Sequence, residues 1–109
     1  MHFLCTFEQL QNTPIQTFDL MVENEQFPVI LLLSEDKIRA YHNQCPHAWV
    51  PLNRADSNIL SGCQQYLQCS SHFAQFNMLD GYCVYGPCQG RSLRRLGAQL
   101  VDSNIFIYL

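Results

Sequence analysis

Tyr41-His42-Asn43-Gln44-Cys45-Pro46-His47 and Gln68-Cys69-Ser70-Ser71-His72 decide how this chain is read. Each segment holds one thiol and one imidazole, spaced C-x-H in the first and C-x2-H in the second. Paired spacing of this kind is what a metal site needs. Together Cys45, His47, Cys69 and His72 supply two sulfurs and two nitrogens, a donor set that suits zinc or an iron–sulfur centre. Zinc sites of that composition favour two or more residues between ligands, and Pro46 alone stands between Cys45 and His47. The segment 48–68 is long enough for a hairpin-sized excursion that brings the two clusters face to face.

Six cysteines could form a disulfide framework, but the context argues otherwise. Met1-His2-Phe3-Leu4-Cys5 has no basic region and no cleavable apolar stretch, so no signal peptide is expected. Phe27–Leu33 is the longest apolar run and is too short to cross a bilayer. The expectation is a cytoplasmic chain whose thiols stay reduced, with its Cys/His pairs as metal ligands. Plant-type ferredoxin spacing fails, because Cys83 and Cys88 give C-x4-C but position 91 is Arg. Cys5, Cys63, Cys83 and Cys88 are expected to pack as small hydrophobes. A Cys83–Cys88 disulfide is disfavoured in a reducing compartment.

The chain of 109 residues fits one domain, 1–109. Hydrophobic residues at 48% and charged residues at 14% describe a folded chain. A net charge of −3 leaves no basic excess to neutralise phosphates, so nucleic acid is not an expected partner. The organisation is strand, turn, strand. Phe18, Leu20 and Val22 alternate with polar neighbours, and Asn24-Glu25-Gln26 form a polar break. A buried strand is expected at Val29–Leu33, with Pro28 at its start. Ser34-Glu35-Asp36 turns the chain into Ile38–His42, which leads to Cys45. Short strands follow at 66–68, 74–78, 82–85, 96–101 and 105–109, with Asp80-Gly81 as a hairpin signal. Glu8–Asn12 is a candidate helical turn. The pattern predicts an all-β sandwich or barrel, with both ligand clusters on loops.

With C-P-H at 45–47 and C-S-S-H at 69–72, the chain resembles the Rieske [2Fe–2S] ferredoxins and domains. The continuation is also similar: Phe76, Asp80-Gly81, Gly86-Pro87-Cys88, Ser92-Leu93 and a closing hairpin. The resemblance implies a Rieske-like antiparallel β-sandwich with a small cluster-binding subdomain at about 43–76. It implies one Rieske-type [2Fe–2S] cluster per chain. Cys45 and Cys69 would hold the inner iron, and His47 and His72 the outer iron near the surface. Two thiolates leave the oxidised centre neutral, whereas four would make it a dianion, so histidine ligation raises the reduction potential. The second ring nitrogens can take up protons, so the potential should fall at alkaline pH.

Departures from the family's pattern refine this. Trp49 and Phe73 stand where the family has glycine after each ligand histidine. Val50 and Ser71 stand where respiratory-chain members have bridging cysteines. Ala74 and Phe76 replace hydroxyl residues that hydrogen-bond to sulfur, which points to the low end of the range, about −150 mV. The resemblance is therefore to soluble ferredoxins that serve oxygenases.

The expected function is a one-electron carrier, not itself an enzyme. It would take electrons from a flavin-dependent reductase to a terminal oxygenase of the ring-hydroxylating dioxygenase type, as a monomer with no membrane partner. Two alternatives are the small electron-transfer subunit of a reductase complex, such as a nitrite reductase, and a zinc-stabilised binding module. His42 reads as a surface residue at a strand end. Cys88 follows a Gly-Pro loop that in the family lies against the cluster, and Pro87 would help to exclude water there. Arg91, Arg94 and Arg95 form either a solvated face or a docking patch for an acidic partner.

Overall fold

A computed structural model of the chain describes residues 2–46, 52, 66–69 and 74–108. In chain order its elements are β1 (His2–Thr6), α1 (Phe7–Asn12), β2 (Ile15–Val22), β3 (Glu25–Ser34), β4 (Lys37–His42), β5 (Tyr66–Gln68), β6 (Gln75–Asn77), β7 (Cys83–Tyr85), β8 (Arg95–Val101) and β9 (Asn104–Tyr108). The fold is nearly all β, and among the described residues every strand pair is antiparallel, as the sequence pattern predicts. The chain forms two compact units, one of residues 1–42 and 95–109 and one of residues 43–94.

The first unit is a six-stranded sheet in the order β1-β9-β8-β4-β3-β2. Its core gathers Cys5, Leu10, Val29, Leu31, Ala40, Leu96, Ile105 and Ile107. Fully burying an aliphatic side chain of this size stabilises by about 1.5–3 kcal/mol. β3 lies between β4 and the edge strand β2, and Val29, Ile30, Leu31 and Leu32 are all sealed from solvent, so both of its faces are covered. Such a strand reads as a continuous apolar run, not an alternating one. α1 is a short turn of helix with a reciprocal cap: the Gln9 amide donates to Thr6 Oγ1, and the Thr6 amide donates to Gln9 Oε1.

Three hairpins join this sheet through two-residue turns at Glu23-Asn24, Glu35-Asp36 and Asp102-Ser103, all with positive φ. Positive φ at both central residues defines a type I′ turn, whose twist matches the flanking strands. The sequence pattern places the first two breaks slightly differently, because Glu25 and Ser34 are polar yet already paired. Pro28 also lies inside β3, opposite Asp19, and not at its start. Next to a two-residue turn, Val22–Glu25 is a hydrogen-bonded pair, so by alternation Asp19–Pro28 is a non-bonded pair. The proline nitrogen therefore faces the β4 side, where pairing stops at Val29–His42. No ladder hydrogen bond is lost. β1 is absent from the sequence reading. It is an edge strand held by β9, with a bulge between Phe3 and Cys5 that obscures its alternation.

The second unit carries a three-stranded sheet, β5-β6-β7. Its buried side chains include Cys45, Leu52, Leu67, Cys69, Ala74, Phe76, Cys83, Cys88 and Leu93. The β6–β7 connection runs through Gly81 at φ 75, with the Tyr82 amide donating to Asp80 Oδ1. A register shift between Gln75 and Phe76 leaves Val84 without an opposite residue in the pairing. Among the described residues no helix is long and apolar enough to cross a membrane.

Candidate metal centre

β4 ends at His42, and the next residues turn into the first ligand cluster. Asn43 is buried, and its Oδ1 accepts the Leu52 amide at 2.8 Å. This bond ties together two described points that flank His47 in sequence. Cys45 is completely buried just after it. Pro46 fixes its own backbone φ, and its carbonyl accepts from Arg91 Nη1 at 3.2 Å. An arginine thus holds the loop between the Cys and the His of the first pair.

β5 delivers Cys69, which is also completely buried. The Cys69 amide donates to the Ala74 carbonyl at 2.9 Å, joining the described ends of segment 69–74. The two candidate cysteines are in no disulfide. His47 and His72 lie outside the described residues, as do Trp49, Val50, Ser71, Phe73 and Cys63.

A third loop packs behind the first. Gly86 has φ 104, and a Cβ placed on it would lie 2.7 Å from the Ala74 Cα. Only glycine lets this loop approach Ala74, the residue just before β6. The loop is then tied back on β7, with the Arg91 amide donating to the Cys88 carbonyl and the Cys83 amide to the Arg91 carbonyl. This brings Cys88 Sγ to 3.3 Å from Cys83 Sγ. Cys83 Sγ in turn donates to the Tyr85 carbonyl at 3.2 Å. Burial pushes the Cys88 thiol up to about 12, and the adjacent Cys83 and Cys45 sulfurs add to the push.

Sequence reasoning placed Cys88 near the metal and read Cys83 and Cys88 as small buried hydrophobes. They are buried, but they also contact each other through sulfur. The C-x4-C spacing was the visible signal. It has meaning only once the Gly86 turn folds Cys88 back on β7. Among the described residues no three Cys, His, Asp or Glu side chains form a group that could hold a metal ion, so this pair of thiols is not a site of its own. Pro87 is exposed. His42 is half-buried and stacked on Phe27, with ring centroids 4.2 Å apart, so it is more enclosed than a strand-end surface residue.

The family model of the Rieske [2Fe-2S] domain matches residues 1–103. No curated protein matches the chain. Among solved structures, the chain is similar to the ferredoxin of carbazole 1,9a-dioxygenase from Nocardioides aromaticivorans IC177. Identity is 21%, the TM-score 0.71, and coverage 98% of this chain and 94% of that one. It is also similar to a chain in a complex of reduced oxygenase and oxidized ferredoxin in carbazole 1,9a-dioxygenase. Here identity is 17%, the TM-score 0.72, and coverage 97% and 99%. The terminal oxygenase of carbazole 1,9a-dioxygenase from Nocardioides aromaticivorans IC177 matches at 16% identity and a TM-score of 0.75. That match covers 99% of this chain but 29% of the oxygenase chain. At these identities the likeness establishes the fold.

Proposed function

The chain belongs to the Rieske [2Fe-2S] domain family, and from that premise we propose that it is a one-electron carrier between a flavin-dependent reductase and a terminal oxygenase of the ring-hydroxylating dioxygenase type. Its cofactor is a Rieske-type [2Fe–2S] cluster. The residues present fit that group. Cys45 and Cys69 are buried thiols outside any disulfide, each on a loop that follows a strand. We assign Cys45 and Cys69 to the inner iron and His47 and His72 to the outer iron. When bound, such a centre supplies reversible one-electron chemistry at a potential raised by imidazole ligation.

The chain's own residues do the rest. Asn43 and the Cys69 amide brace the segments that carry the ligands. Arg91 places positive charge beside the first loop, which favours the extra negative charge of the reduced state. Cys88 and Cys83 fill buried space in the same unit as Cys45 with soft, weakly polar sulfur.

The observation that favours a carrier is the pair of buried, disulfide-free thiols Cys45 and Cys69 on loops that follow strands, in a fold similar to that of a ferredoxin. The oxygenase partner is supported by the structure of a ferredoxin with an oxygenase among the similar chains. Dithionite reduction followed by EPR, with iron and sulfide analysis, tests the centre. A rhombic signal with a low average g value is expected. Stopped-flow mixing with a flavin reductase, then with a Rieske oxygenase, tests the role. Bleaching by the first and reoxidation by the second are expected. A loaded protein that exchanges electrons with neither would sink the carrier reading.

A further inference from the structure

β1 and β2 are the two edges of the six-stranded sheet. Leu4 and Cys5 of β1 nevertheless share one cavity of about 400 Å³ with Gln16 and Phe18 of β2, and Gln9 of α1 and Thr13 add a further wall. The two edges thus face each other across it. All of these residues belong to the unit that holds none of the proposed cluster ligands, so the cavity stands apart from the ligand loops in the chain's organisation. Its volume lies in the range of small-molecule sites, which combine apolar walls with a few placed polar groups.

No residue lining the cavity is charged. Cys5 also stays neutral at ordinary pH, because burial raises its thiol. A charged ligand would lose hydration here and gain no counter-charge, so a neutral one is favoured. Two of the polar groups have a fixed sense. Gln16 Nε2 donates to the Gln9 carbonyl at 3.0 Å and to the Thr13 carbonyl at 3.1 Å. Both of its amide protons are then used, and Oε1 remains as an acceptor. Gln9 is the reverse case. Its Oε1 accepts the Thr6 amide at 2.9 Å in the helix cap, so Nε2 remains as a donor. Neither side-chain amide can flip without losing a backbone partner. Among the described residues nothing takes up the remaining half of either amide. The wall therefore offers one acceptor and one donor whose roles do not interchange.

A carboxamide carries the matching pair, an N–H beside a C=O, on a neutral frame. A ketone lacks the donor, and a carboxylate lacks it and is charged as well. We propose that the cavity between β1, α1 and β2 binds a small neutral carboxamide with an apolar body. The ligand carbonyl accepts from Gln9 Nε2, its N–H donates to Gln16 Oε1, and its body lies against Leu4 and Phe18. This site goes beyond the carrier reading and does not depend on it.

Benzamide, acetophenone and benzoate share one ring and differ in these groups. Each is titrated into the isotope-labelled full chain and followed by backbone amide NMR shifts. Benzamide should give saturable shifts confined to β1, α1, β2 and the residues joining α1 to β2. One hydrogen bond is worth about three- to tenfold in affinity, so acetophenone should bind more weakly by about that factor and benzoate more weakly still. Gln9→Glu keeps the cap, since a carboxylate oxygen accepts the Thr6 amide as Oε1 does. It replaces the free donor with an acceptor, so benzamide should bind at least about threefold more weakly while the spectrum keeps the parent's dispersion. Absence of saturable shifts, or shifts centred elsewhere, would overturn the proposal. So would equal affinities for the three probes, or a benzamide affinity that Gln9→Glu leaves undiminished.

Discussion

At the scale of single residues, burial alone does not distinguish a ligand from a packing thiol. Cys5, Cys45 and Cys69 are all nearly or fully sealed. What differs is the sequence beside them. Cys45 and Cys69 are each followed by a histidine two or three positions on, whereas Cys5 has only His2, which precedes it on β1. Replacing Cys45 or Cys69 with Ala should therefore drop iron and acid-labile sulfide to background, read by metal analysis of the purified protein. Cys5→Ala should keep the full content, because Cys5 belongs to the core of the first unit. Cys5 should instead show in the pH dependence of stability. Burial raises its thiol above the ordinary value, so the folded chain keeps that proton after the unfolded chain has released it. The unfolded state then binds fewer protons, and stability falls as pH rises above about 8.5 toward the folded value. Denaturant midpoints measured from neutral to alkaline pH should decline less steeply in Cys5→Ala than in the parent.

Among the elements, the hairpins show how turn geometry overrides residue preference. Ser103 sits at φ 66 without being Gly, Asn or Asp. Left-handed backbone costs an ordinary residue about 1–2 kcal/mol. Glycine avoids this but gives back about 0.5–1 kcal/mol in chain entropy. Ser103→Gly makes the turn Asp-Gly and should stabilise the protein by about 0.5–1 kcal/mol, seen as a higher thermal midpoint. The hydrogen bond from the Phe7 amide to the Ser103 carbonyl uses only backbone and survives. Gly86 is the opposite case. Gly86→Ala meets both a positive φ and the Ala74 backbone, and should cost about 2–4 kcal/mol in the same measurement. These two turns also mark what the sequence makes legible. β5 at 66–68 and the buried run of β3 could be read directly, because apolar residues cluster between polar breaks. The ends of β3 could not, because the two-residue turns at Glu23-Asn24 and Glu35-Asp36 draw the polar Glu25 and Ser34 into the pairing. The candidate site divides in the same way. The C-x-H and C-x2-H spacing exposes Cys45 and Cys69, since ligands on one loop are close in sequence. The contact of Cys88 with Cys83, and that of Arg91 with Pro46, depends on how the loop after β7 folds back, which no local pattern encodes.

For the whole molecule the relevant quantity is charge, because a carrier must meet its partner before it can react. The chain carries −3 overall, yet Arg91 and Arg94 are exposed within one unit. Charge complementarity sets encounter rates more than affinity, and it is screened over about 10 Å at 0.1 M salt. Arg91 donates to the Pro46 carbonyl, so on the proposed ligand assignment its charge lies beside the centre as well as on the surface. Arg94→Gln should slow second-order reduction of an acidic-faced partner severalfold at low ionic strength and converge with the parent in high salt, with its potential unchanged. Arg91→Gln should slow the same step and also lower the potential, because a positive charge beside the ligand loop is lost. Stopped-flow rates across a salt series, paired with redox titration of each variant, separate the two effects. If neither variant's rate responds to salt differently from the parent, these arginines are a solvated face and steering lies elsewhere. If Arg91→Gln alters the rate but leaves the potential where it was, its bond to Pro46 positions the loop without acting on the electron.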